Sequence, residues 1–190
     1  MNLGLANHKV DVVKHDPAWR QEFARCHSEL ALVTEIAPTR IEHIGSTAIL
    51  DMPAKPILDM VLGIEHFPHV SPKLIDALKG VGFLRLKVEK PEEIVFAKFT
   101  DDSFQVKTHY LHITQYRGQL WRDWIQFRDR LNESAELRSE YLALKRSLVE
   151  HTEITIEKYT DAKAEFVKKV ISTYNKGDVT VAFVVFESGN

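Results

Sequence analysis

One acid stands inside an otherwise apolar run. In Ile57-Leu58-Asp59-Met60-Val61-Leu62, Asp59 interrupts what reads as a core strand. A buried carboxylate is costly unless it meets a cation, a metal or hydrogen-bond donors. Shortly before it, Ile41-Glu42-His43-Ile44 reads as a second apolar strand and ends in Gly45-Ser46-Thr47. Glycine lets a backbone approach a phosphate closely, and the amides of such a turn can donate to an anion. An anion-binding turn beside a metal-binding acid is the chemistry of nucleotide handling. In that reading Asp59 binds a divalent metal, Gly45 and Ser46 bind phosphate, and Lys55 adds a point charge to the phosphate. The bland alternatives are a plain turn, a Thr47 cap, and an ion pair between Lys55 and Asp59 as neighbours on one strand face.

Histidines stand near this stretch. His109-Tyr110-Leu111-His112 tempts a shared-metal reading, yet residues three apart on a strand face opposite sides. One of the two can therefore stand beside Asp59, as ligand or base, while the other packs elsewhere; His112 is the candidate catalytic partner of Asp59 and His109 an auxiliary. His43, two residues before Gly45, is a further auxiliary, with Glu42 on the opposite face. A satisfied structural histidine competes with each of these readings. Arg128 shares a helix face with Trp124 and Leu131 and so can reach inward, against the alternative of a solvated face. Trp121, Trp124 and Tyr141 fall at helical spacing and read as core. Ser46, His112 and Asp59 could be drawn as a hydrolase triad, but no G-x-S-x-G elbow surrounds the serine.

The elements that must position these residues follow from periodicity and punctuation. Residues 10–13 read as a short strand. Asp16-Pro17 starts a helix that carries Trp19, Phe23, Cys26, Leu30 and Val33 to about Ile36, where Pro38 ends it. Strand 41–44 and the glycine turn follow, then a single helical turn or ordered loop before strand 56–62. Gly63 opens a loop. Ser71-Pro72 starts a second helix bearing Leu74, Ile75 and Leu78, with Gly80 as its C′ residue. A strand is expected at 81–86, then a hairpin of strands 94–100 and 105–114. Two helical stripes follow, broken at Asn132-Glu133-Ser134, and a last helix runs from Asp161 to about Tyr174. The tail at 179–186, Val-Thr-Val-Ala-Phe-Val-Val-Phe, is strand-like and could form an edge or pair with a second copy. The expected architecture is an α/β (α+β) mixed sheet with helices packed on it and a C-terminal helical segment. It forms one domain over 1–176, with the tail at 177–190.

Composition narrows the partners. In 190 residues, 44% are hydrophobic and 27% charged, enough for a real core. The formal net charge of −2 argues against a strong grip on nucleic acid. One cysteine, Cys26, excludes an intrachain disulfide, and a reducing, cytoplasmic location is expected. Cys26 itself reads as a small core hydrophobe. The first eight residues lack a basic start with an apolar run, and no stretch nears the ~20 apolar residues of a membrane helix. Neither a signal peptide nor a membrane partner is therefore expected.

Several spaced motifs agree in order with one family. Glu42-His43-Ile44-Gly45-Ser46-Thr47, Ala54-Lys55-Pro56-Ile57-Leu58-Asp59, His109-Tyr110-Leu111-His112, Phe127-Arg128-Asp129, Tyr141 with Lys145, and Tyr159 with Lys163 resemble the GrpB-like family of the nucleotidyltransferase superfamily. The resemblance covers roughly residues 10–174. It implies the nucleotidyltransferase fold, Gly45 and Ser46 holding nucleotide phosphates, and Asp59 as the first carboxylate on Mg²⁺ or Mn²⁺. It also implies attack of an acceptor hydroxyl on the α-phosphorus with release of pyrophosphate. The chain departs from the superfamily pattern of acid, any residue, acid: Val61 stands where the second acid belongs, and the later strand carries His109 and His112 where a third acid is usual. A single-metal site with histidine help, or nucleotide binding without transfer by a non-catalytic module, are the two readings this leaves open.

Overall fold

The computed structural model describes residues 3–6, 12–150 and 156–172. The strand-like tail at 179–186 lies outside the described residues, as do Val10 and Asp11 of the first expected strand; Val13 makes an isolated antiparallel bridge to Ala54. In chain order the elements are β1 (Leu5–Ala6), α1 (Ala18–Thr34), β2 (Ile41–Ile44), β3 (Leu58–Ile64), α2 (Pro72–Gly80), β4 (Leu84–Lys90), β5 (Glu93–Phe99), β6 (Val106–Gln115), α3 (Gln119–Glu133), α4 (Ala135–Glu150) and α5 (Ile156–Ser172). A single tight turn, Ser46–Ala48, follows Gly45.

The strands form one mixed sheet in the order β2-β3-β6-β5-β4, with β1 pairing the start of β6. The β2–β3 pair is antiparallel, β3–β6 is parallel, and β5 and β4 continue antiparallel. The period of two sorts β3 between the faces. Leu58, Met60 and Leu62 turn to the side covered by α1 and α2, where they pack with Trp19, Cys26, Leu30, Leu74 and Leu78. Asp59 and Val61 turn to the other side, where Ile44 and Val61 pack with Trp124, Phe127, Leu131, Tyr141 and Val167 of α3, α4 and α5. The sheet is thus a wall with a helical layer on each face, and the two central parallel strands carry the candidate residues.

Local chemistry explains most boundaries. Asp16 caps α1 by accepting from the Ala18 amide at 2.9 Å. Ser71 accepts from the Leu74 amide at 3.2 Å, and Pro72 takes the first position of α2. Ser134 accepts from the Leu137 amide at 3.1 Å, which starts α4 after the break. Three expectations need correction, and one element was not expected. Gly80 lies inside α2, and the left-handed residue that turns the chain is Gly82, at φ +87°. Gly63 does not open a loop: β3 runs on to Ile64 because Gly63 and Ile64 pair with Thr114 and Gln115 of β6, and Tyr116 and Trp121 occupy the space a Cβ at Gly63 would need, at 2.7 and 3.0 Å. β4 starts at Leu84 rather than Val81. β1 was not foreseen, since two residues are too short to carry a period.

Candidate functional site

The register of β2 against β3 builds the site. Ile44 pairs with Asp59, so the residue after Ile44 turns directly over the carboxylate. That residue is Gly45, with φ +70° and ψ −172°. A Cβ there would stand 2.9 Å from Asp59 Cβ, and Oδ2 lies closer still. Only glycine fits the conformation and the space together. The bend is therefore pressed against the acid, and Oδ2 is the carboxylate oxygen that faces it. The turn's own bonds run from the Ala48 amide to Gly45 O and from the Ile49 amide to Ser46 O, both 3.3 Å, so the Ser46 and Thr47 amides are not consumed within it.

Lysines close on the bend from three directions. Lys145 of α4 donates to Ser46 Oγ at 2.9 Å and to Pro53 O at 2.7 Å. Burial, with Lys163 and Lys55 close by, brings its pKa down to about 7, against the pull of Asp59. Lys55 is also held below the usual lysine range, first by burial and then by Lys163, while Asp59 favours its charge. Lys163 of α5 completes the set. Tyr141, buried one helical turn before Lys145, lies beside Ser46, and burial raises its pKa to about 12. Burial and mutual repulsion disfavour the charged forms of Lys145 and Lys55, and an anion at the bend would favour them again.

His112 lies on the same face, one strand over. Its Nδ1 stands 2.5 Å from Glu93 Oε2, and its Nε2 stands 3.8 Å from Asp59 Oδ1, an ion-pair distance rather than a hydrogen bond. Burial works against its charge, but Asp59 and Glu93 outweigh it and raise the pKa to about 9. Glu93 is buried too, yet His112 and Lys90 pull its pKa down to about 2. The raised pKa favours the imidazolium form of His112: Glu93 grips Nδ1, while the buried Nε2 faces Asp59 without a hydrogen bond.

This donor set fits one oxygen-ligated dication and not two. Val61, the second-acid position, is fully buried among Ile44, Met52 and Trp124. Glu93 is spent on His112 and Lys90. Asp59, a quarter exposed, is the carboxylate left to face the bend. Mg²⁺ is commonly held by one or two carboxylates, several waters and ligand phosphates, which suits a lone aspartate; Asp59 Oδ2 is the atom that could hold it.

Of the residues singled out from sequence, Gly45, Ser46, Lys55, Asp59 and His112 come together. His43, His109 and Arg128 do not join them. His43 faces α1, stacks on Phe23 with centroids 4.9 Å apart and meets Thr47 Oγ1 at 2.9 Å. Burial, with Arg128 nearby, lowers its pKa to about 3. Arg128 is tied to Glu42 and Asp129 at 2.7 Å each and to His43 O at 2.9 Å. His109 points to the α1 side, 3.2 Å from Glu22. Three participants were given no role from sequence. Lys145 and Lys163 were visible only as positions in the family resemblance, and Glu93, at a hairpin strand's first position, gave no signal beyond being an acid beside an apolar run. A concavity on α3 lined by Arg117, Trp121, Arg122 and Arg130 shares no residue with this set.

Known proteins bear on the arrangement. The chain is 35% identical over 171 residues to the glutamate-rich protein GrpB of Alkalihalophilus pseudofirmus, covering 90% of this chain and 98% of that protein. Among solved structures it resembles the conserved protein GrpB from Enterococcus faecalis, with TM-score 0.69, 25% identity, and 86% and 99% of the two chains covered. It also shares its fold with the Cid1 poly(U) polymerase, solved with MgATP bound, at TM-score 0.50 and 15% identity over 75% of this chain and 46% of that one. The sheet and its flanking helices are therefore of the nucleotidyltransferase kind. A family model described as GrpB protein matches residues 9–173, and the chain belongs to the GrpB family.

Proposed function

We propose that the protein binds a nucleotide or another phosphorylated small molecule at the Gly45 bend, with one Mg²⁺ or Mn²⁺ on Asp59. The observation that carries this reading is the convergence of Lys55, Lys145 and Lys163 on a glycine bend pressed against a single aspartate. Gly45 admits a phosphate oxygen close to the backbone. The Ser46 hydroxyl and the turn amides donate to it. The lysines supply in side chains the charge that a second metal would bring elsewhere. When bound, the ion would neutralise phosphate charge and orient the phosphate chain. His112 and Glu93 fix Asp59 in place: the imidazolium faces Oδ1 and leaves Oδ2 toward the bend. Lys145, at about 7, is neutral or charged according to what occupies the bend, so it can pick up a proton as an anion arrives.

Nucleotidyl transfer is the reaction this pocket suits. An acceptor oxygen bonds the α-phosphorus, the bond to the β-phosphate oxygen breaks, and pyrophosphate leaves. Val61 supports a second reading, a module that binds without transfer, because its apolar packing removes the second carboxylate. Calorimetric titration of ATP, UTP and inorganic triphosphate in the presence of Mg²⁺ tests the first step, with Asp59→Asn as control. Binding that requires Mg²⁺ and Asp59 is expected. If none of these anions binds, the proposal is lost. Pyrophosphate release with a pool of hydroxyl acceptors, abolished by Asp59→Asn, separates enzyme from module.

A further inference from the structure

The face of the sheet turned away from Asp59 carries a second constellation. Glu22 and Cys26 stand four residues apart on α1, on one helix face, and His109 meets them from β6. Among the described residues they are the one grouping of three His, Cys, Asp or Glu side chains whose ligand atoms all converge. We propose that Glu22, Cys26 and His109 form a binding site for a transition-metal dication of the Zn²⁺ class.

Geometry supports it first. Cys26 Sγ lies 3.6 Å from His109 Nε2 and 3.5 Å from Glu22 Oε1, and these last two are 3.2 Å apart. A tetrahedral Zn²⁺ with bonds of about 2.3 Å to sulfur and about 2.0 Å to nitrogen and oxygen sets edges of about 3.5, 3.5 and 3.3 Å between the same atoms. The three atoms already form one face of that tetrahedron.

The tautomer of His109 supports it as well. Thr108 Oγ1 donates its hydroxyl to Lys98 O at 3.1 Å, so its oxygen accepts from His109 Nδ1, 2.8 Å away. That bond puts the imidazole proton on Nδ1 and leaves a lone pair on Nε2, aimed at Cys26 and Glu22. A lone pair, a carboxylate oxygen and a sulfur then face one another, with the thiol hydrogen and the Arg25 Nη2 donor, 2.7 Å from Glu22 Oε1 and 3.3 Å from Cys26 Sγ, among them. A dication would take the place of the thiol hydrogen and of that guanidinium contact and be shared by all three ligand atoms. Thr108 serves as the outer partner that fixes the tautomer of a ligating histidine.

The setting accepts the charge. Thiolate and carboxylate neutralise a dication. Arg25, which now forks Glu22 through Nε at 3.0 Å and Nη2 at 2.7 Å, is half exposed and has Glu29 at 3.4 Å as an alternative partner. Its place is also the open side from which a water could supply a fourth ligand. A sulfur, nitrogen and oxygen set favours Zn²⁺ or Co²⁺ over Mg²⁺, the opposite preference to a lone aspartate among phosphates. The site does not depend on whether the Gly45 bend binds nucleotide.

The test uses the full chain, stripped with a chelator and titrated with Co²⁺. One equivalent should give visible d–d bands of tetrahedral intensity and a near-ultraviolet thiolate-to-cobalt band, and Zn²⁺ should displace both. Cys26→Ala, a small apolar replacement suited to the buried position, should lose the thiolate band and weaken binding by on the order of 100-fold, with its circular dichroism unchanged. Thr108→Val should weaken binding by about tenfold. Asp59→Asn should leave the spectrum intact. A wild-type spectrum without the thiolate band, or one that survives Cys26→Ala or is removed by Asp59→Asn, would overturn the assignment.

Discussion

Two histidines three residues apart on β6 have opposite fates. His112 stands between Glu93 and Asp59 and is raised to about 9. His109 has a single carboxylate nearby, already forked by Arg25, and falls to about 4. Burial is nearly the same for both. What differs is the number of carboxylates left with charge to give. One face of the sheet therefore holds a fixed imidazolium that orients an acid toward an anion pocket. The other holds a neutral imidazole with its lone pair turned to a thiol and a carboxylate. The strand's period of two creates the difference, and the neighbouring elements supply its sign.

The largest effect that could break this contrast is removal of Glu93. Glu93→Ala leaves a buried imidazolium without its 2.5 Å partner and should cost about 3–5 kcal/mol. At ~2–4 °C per kcal/mol for a chain of this size, the melting temperature should fall by about 6–20 °C. His109→Leu removes no charge and should cost about 1 kcal/mol. A Glu93→Ala melt no lower than that of His109→Leu would count against a buried charge on His112.

A smaller effect concerns the lysines. Lys145→Met removes a charge-assisted donor worth about 1.5–3 kcal/mol, so phosphate affinity should fall by roughly 10- to 100-fold. Wild-type binding at pH 8 should take up protons as Lys145 is recharged, and the variant's binding should not. Calorimetry in two buffers of different ionisation heat reads both quantities. An unchanged proton uptake in the variant would move the titration away from Lys145.

Gly45→Ala tests the bend. A left-handed, crowded position should cost about 1–3 kcal/mol in stability, and the displaced Asp59 carboxylate should weaken Mg²⁺-dependent binding further. The same substitution at Gly80 meets no atom within 4 Å and should leave the melt unchanged or slightly higher.

The sequence shows some of this and hides the rest for a physical reason. Asp59 is conspicuous because an acid breaks an apolar period, and Gly45 because a turn follows a strand at once. The opposite facing of His109 and His112 follows from spacing alone. Glu93 is hidden because its partner lies on the neighbouring strand, and only the β5–β6 register brings them together. Lys145 sits on an amphipathic helix where a lysine is ordinary, and its burial comes from α5 and the Pro53 loop. The Glu22–Cys26–His109 group is hidden for the same cause: Cys26 reads as a core residue until a strand far along the chain puts an imidazole beside it. Elements set by local period and caps are legible, while charges set by long-range packing are not.

The most gradual effect is the shape of the pH–stability curve, spread over several pH units, and it resolves the two faces. A raised histidine stabilises fully below its unfolded value of about 6.5 and loses that contribution as pH rises through its folded value, so His112 should make stability decline between about 6.5 and 9. Glu93, lowered, contributes fully above about 4.5 and loses this as pH falls toward 2. His109 is lowered, so the folded state resists its protonation, and stability should decline as pH falls from about 6.5 through 4. Each proton changes stability by at most about 1.4 kcal/mol per pH unit. Urea unfolding from pH 4 to 9 should show His112→Gln flattening the alkaline limb and, through Glu93, altering the acid limb as well, whereas His109→Leu should flatten part of the acid limb, which His43 shares, and leave the alkaline limb unchanged. An alkaline limb flattened by His109→Leu, or left intact by His112→Gln, would remove the contrast between the faces.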